Sequence, residues 1–224
     1  MTFRSAVLQV TGITVACIVG GLVVGVAVGA VIHALTAPFP EVVRTGVAAV
    51  IAVGAFSASA AQWGRRLARL AGWADPSRVG RFTGWIVGPT FVTIGLILSG
   101  IEPVVVAHGA TVGLAIHNVY TLAFVPAALV AAAMGGLALG LGARDPRLAQ
   151  ALAVRAGFAA AGAFLLVDLT MDAIGWRIGA PNAAARATML VVTACSAAAA
   201  ALAAGIAIAS SVAADAPAIS SPPV

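Results

Sequence analysis

Stretches free of Asp, Glu, Arg and Lys run from Ser5 to Pro40, Thr45 to Gly64, Phe82 to Ile101, Pro103 to Ala143, Ala156 to Val167 and Ala187 to Ala214. A helix needs about 20 apolar residues to cross the hydrocarbon of a bilayer. Every stretch but the fifth meets that length unaided. The fifth meets it only by continuing through Asp168 and Asp172 to Trp176, which puts carboxylates inside the membrane. With 62% of residues hydrophobic and 8% charged, the chain cannot cover itself with polar side chains. Lipid must cover it.

The fourth stretch, 41 residues long, admits one crossing or two. Arginine placement decides between them, because basic residues concentrate on the cytoplasmic side. With one crossing, the inner side holds Arg4, Arg65, Arg66, Arg69, Arg78, Arg81, Arg144, Arg147 and Arg155. The outer side then keeps Arg44, Arg177 and Arg186. Two crossings would move the cluster from Arg144 to Arg155 outside.

The expected fold is therefore an all-α, polytopic transmembrane bundle of six spans, about 6–35, 45–64, 82–101, 118–142, 155–176 and 187–211. The transmembrane domain covers 1–212, a disordered tail covers 213–224, and both termini lie in the cytoplasm of a multi-pass cell-membrane protein. The remaining segment, Pro103 to His117, reads as an interfacial or re-entrant element on the outer side. Trp63, Trp73 and Trp85 fall near the inner interface, Tyr120 and Trp176 near the outer one.

The loops carry a pattern that hydropathy alone misses. Gly54-Ala55-Phe56 is followed by Gly72-Trp73, Pro76, Arg81 and Thr83. Gly162-Ala163-Phe164 is followed in the same order by Gly175-Trp176, Pro181, Arg186 and Thr188. Gly20-Gly21-Leu22 and Gly135-Gly136-Leu137 precede the two blocks. Units 1–101 and 118–212 would then be homologous, and three crossings each make them an inverted 3+3 repeat, an architecture common in carriers.

Asp168 falls in the outer half of the fifth span, with Asp172 one turn on and on the same face. A carboxylate in lipid costs about 2.5 to 3.5 kcal/mol, so it should face the bundle interior or a partner. Asp168 and Asp172 are the candidate solute or ion pathway, with Arg177 and Arg186 as charge partners. Pro89 and Pro126 join them because each frees a backbone carbonyl within a span. Gly21, Gly25 and Gly29, like Gly136 and Gly140, recur at spacing four and form smooth faces for helix packing.

His108 and His117 are weak metal candidates, since they lie half a turn out of phase if carried on one helix. No metal or cofactor is predicted, with haem left open. Cys17 and Cys195 read as small buried hydrophobes. All twelve basic residues are Arg, which removes lysine-based chemistry, and no catalytic set is evident. Nucleic acid is not an expected partner. The leading expectation is a small carrier or channel for an ion or small solute. The alternative is a non-catalytic subunit or assembly factor that docks its glycine faces in a larger complex or in a homo-oligomer.

Overall fold

The computed structural model describes residues 3–112, 116–175 and 183–214, with side-chain surroundings described except at 19, 21–26, 30, 33, 99, 101–120, 183–187, 190 and 213–214. These residues form six helices: α1 (Phe3–Leu35), α2 (Glu41–Leu70), α3 (Pro76–Val112), α4 (Ile116–Gly142), α5 (Pro146–Ala173) and α6 (Ala183–Ala214). Five contain windows long and apolar enough to cross a membrane: Glu41–Leu70, Pro76–Leu98, Thr121–Gly142, Pro146–Ala173 and Val191–Val212. In α1 the apolar part among the described side chains is Phe3–Ile18. The chain is a helical bundle with the dimensions of a multi-pass membrane protein.

The helices outrun their charge-free stretches because the flanking arginines are themselves helical. Arg65, Arg66 and Arg69 lie in the last turns of α2, and Arg147 and Arg155 in the first turns of α5. Asp145 caps α5, its carboxylate accepting from the Leu148 amide at 2.9 Å, with Pro146 opening the helix. Asp75 accepts from the Arg78 amide at 2.8 Å at the start of α3. Among the described residues, the two carboxylates at the arginine-rich end, Asp75 and Asp145, therefore cap helices.

One expectation fails here. Pro103 to His117 is not a separate element: α3 runs through Glu102 and Pro103 to Val112, and α4 begins at Ile116. A proline removes one helical hydrogen bond, and a helix this long tolerates that loss without ending. At 37 residues α3 is about 55 Å long, well beyond the hydrocarbon thickness. The helix α6 continues to Ala214, past the expected start of the tail at 213; residues from 215 on lie outside those described.

Each helix packs on its neighbours in sequence, and α1 packs on α6, so the bundle is a closed ring in chain order. Its arginine-rich end is the better packed. There Val10, Leu67, Val79, Leu139, Leu152 and Ile208 are all but sealed and come from all six helices. A smaller cluster around Phe164 and Val192 joins α4, α5 and α6 nearer the other end.

Glycines set how closely these helices approach. Gly80, Gly84 and Gly88 of α3 lie against α2: a Cβ at Gly84 would come within 2.9 Å of the Ser57 carbonyl oxygen. Gly136 and Gly140 of α4 meet α5, and a Cβ at Gly136 would come within 2.6 Å of the Leu152 backbone. Between apolar helices in lipid the hydrophobic effect contributes little, so close packing and interhelical hydrogen bonds hold the bundle. Thr83 supplies one of the latter. Its single hydroxyl proton is shared among the carbonyls of Ala60 on α2 (2.8 Å), Val79 (3.0 Å) and Gly80 (3.0 Å).

Candidate functional site

All six helices wall one cavity of about 230 Å³ inside the ring. Thr14 and Cys17 of α1 reach it, as do Phe56 and Trp63 of α2 and Phe91 of α3. Gly135 lines it from α4, Ala156 from α5 and Ala201 from α6. Its lining contains no charged residue. It lies just beyond the sealed core of the arginine-rich end, which Leu139 and Ala204 share with it.

Four polar side chains line this wall, those of Thr14, Cys17, Ser59 and Trp63, and two of them are joined. Trp63 donates from Nε1 to the Thr14 hydroxyl at 3.0 Å, and Thr14 donates to the Val10 carbonyl at 2.8 Å. Trp63 is thus a wall and core residue rather than the interfacial anchor expected from its position. Trp85, 80% exposed, is placed as such an anchor would be. Phe56 and Phe91 stack, with ring centroids 6.1 Å apart and 12° between planes.

Asp168 lies elsewhere. It is 6% exposed on α5, and its Oδ2 accepts from the Thr121 hydroxyl of α4. Around it lies the cluster of Phe124, Phe164, Met171, Met189 and Val192, where the rings of Phe124 and Phe164 stack at 6.0 Å. Twelve residues separate Asp168 from Ala156 of the cavity wall, about 18 Å along the helix. Asp172 is half-buried one turn further on. Neither carboxylate lines the cavity, and neither do Pro89, half-buried, and Pro126, exposed.

Arg177 lies outside the described residues, and Arg186 is on α6 with its side chain outside them. His108 and His117 are on α3 and α4, their side chains likewise not among those described. The phase argument that set them apart presumed one helix, whereas the chain places them on two helices that pack together. Among the described residues no group of His, Cys, Asp or Glu is arranged to hold a metal ion.

The repeat anchors fall at matching places in two helix pairs. Gly72 and Gly175 both follow a helix, α2 and α5, in left-handed conformation with φ of 71° and 82°. The residue four past Phe56 is Ala60, and the residue four past Phe164 is Asp168. Ala60 accepts from Thr83, and the counterpart of Thr83 is Thr188, also fully buried. In α6, Ser196 donates to the Ala160 carbonyl of α5 at 2.8 Å. That antiparallel register brings Thr188 level with Asp168, just as Thr83 is level with Ala60. Of the glycine anchors, Gly20 and its counterpart Gly135 both leave room for a Cβ, which at Gly135 would meet only Trp63 Cη2 at 3.8 Å; Gly136 is pressed on α5, and the surroundings of its counterpart Gly21 lie outside those described.

Sequence reasoning missed Gly80, Gly84 and Gly88, although their spacing is the signal it used elsewhere. It also missed Trp63, Thr14 and Thr121 as interior partners, which no local spacing announces. No family model matches this chain, and no curated protein or solved structure does either.

Proposed function

We propose that the chain is a six-span carrier for a small solute, with the cavity inside the helix ring as its binding site. The observation that carries this reading is a cavity walled by all six helices, beside a sealed end and between two helix triplets. The shared register of α2–α3 and α5–α6 supports an inverted repeat, which makes two alternative packings of the triplets close in energy. The start of α1, the end of α6 and most arginines share one end, so we assign that end to the cytoplasm.

Asp168 takes a different part in this scheme from the one its sequence implies. Removed from the cavity and bonded to Thr121, it joins α4 to α5 within the second triplet. Asp168→Asn keeps an acceptor for Thr121, so solute binding in the cavity should persist.

Spin-label distances test alternation directly. In a background with Cys17 and Cys195 replaced by Ala, labels at Arg69 and Arg147 report the arginine-rich end, and labels at Phe39 and Ile174 the other. A carrier gives two distances at each end with reciprocal populations. One fixed distance at both ends in lipid nanodiscs overturns the reading.

One observation favours a second reading, a non-catalytic subunit or assembly factor. Gly12 and Gly20, on one side of α1, have open space where a Cβ would sit, which leaves a smooth surface for a partner helix. Purification in mild detergent separates the readings, since stoichiometric co-migration with a large complex belongs to the second.

A further inference from the structure

We infer that the cavity binds an uncharged aromatic molecule of the size of one substituted or two fused rings. Such a site rests on the carrier reading for its transport consequence, but binding is measured independently of movement. Three features of the wall set the ligand class.

The first is polarity. Trp63 spends its only donor on Thr14, and Thr14 spends its own on Val10, so the wall's further polar side chains are the Ser59 hydroxyl and the Cys17 thiol, both uncharged. A charged or strongly polar ligand would shed its hydration and find no charged side chain in exchange, at a cost of several kcal/mol. An apolar one loses nothing.

The second feature is size. A dry apolar cavity of about 150 Å³ holds benzene in another protein. At about 230 Å³ this one has room for roughly half as much again, or about ten non-hydrogen atoms. The third is shape, because Phe56, Phe91 and Trp63 present aromatic surface, against which a flat ring gains offset or edge contacts beyond its burial.

Gly135 provides a way to fill the space without breaking the bundle. A Cβ there would meet only Trp63 Cη2 at 3.8 Å, an ordinary contact, so the side chain of Gly135→Leu occupies the cavity. The probe pair is nitrobenzene and 4-nitrobenzoate, two contact quenchers of tryptophan that differ by a charge. The protein, in nanodiscs of neutral lipid, keeps Trp63 as its one tryptophan through Trp73→Phe, Trp85→Phe and Trp176→Phe.

Nitrobenzene should quench Trp63 saturably, and 4-nitrobenzoate should not. Gly135→Leu should weaken the saturable phase tenfold or more while melting normally. Thermal melting of the chain with all its tryptophans gives a second readout: nitrobenzene should raise its melting temperature, and should not raise that of Gly135→Leu. Quenching that rises linearly without saturation, equally in Gly135→Leu, means partition into lipid only and overturns the inference. Equal saturable quenching by the charged probe overturns it too. Saturable binding with one fixed distance in the spin-label experiment would keep the site and dismiss the carrier.

Discussion

Gly29 of α1 and Gly84 of α3 each belong to a row of glycines spaced by four, yet the two do opposite things. On α3, Gly80, Gly84 and Gly88 draw α2 so near that a methyl group at any of them would strike its backbone or side chains. On α1, a Cβ at Gly20 or Gly29 would meet nothing; Gly21 and Gly25 lie on the helix with their surroundings outside those described. Spacing determines that a helix has a smooth face. It does not determine that the face finds a partner, because that depends on where the neighbouring helices are placed by the rest of the ring.

Substitutions can break this contrast, beginning with the largest effect. Gly84→Leu should cost about 3 kcal/mol or more, because the Ser57 backbone cannot yield locally and α2 and α3 must part. Melting in detergent should show a large fall in Tm or loss of folded protein; an unchanged Tm would mean that α2 and α3 do not pack this way. Thr83→Val removes the hydroxyl bonded to Ala60 at nearly constant volume, and should cost about 0.6 to 1 kcal/mol in denaturant titration.

Arg144 sits just past the end of α4 with φ of 62°, a conformation that Gly adopts without strain at Gly72 and Gly175. Arg144→Gly should therefore raise stability by up to about 1 kcal/mol, less the entropy glycine adds to the unfolded chain. Gly29→Leu should change monomer stability by no more than about 0.5 kcal/mol. A large loss there would show that the α1 face is occupied in the folded protein, and would end the contrast.

Much of the fold was legible because the bilayer imposes a length and a composition. Charge-free stretches located the helices of the bundle, and Gly-Trp pairs marked the ends of two helices. Pro103 misled, since proline read as a break lies inside a continuous α3. Asp168 was legible as an interior carboxylate, and it is buried. Its remoteness from the cavity was not legible, because position along a helix says nothing about which neighbour stands opposite.

By itself, then, the sequence determined an all-helical chain that must live in lipid, the location of its helices, and which end gathers the arginines. These follow from hydrocarbon thickness and the cost of burying charge, both of which act on each segment separately. Only the tertiary structure decided that the helices close into a ring, that Trp63 turns inward to Thr14, and that Gly80, Gly84 and Gly88 of α3 and Gly136 and Gly140 of α4 are used while Gly20 and Gly29 of α1 lie open. Those outcomes depend on pairs of residues far apart in the chain. Between apolar helices in lipid, contact geometry rather than hydropathy selects the partner.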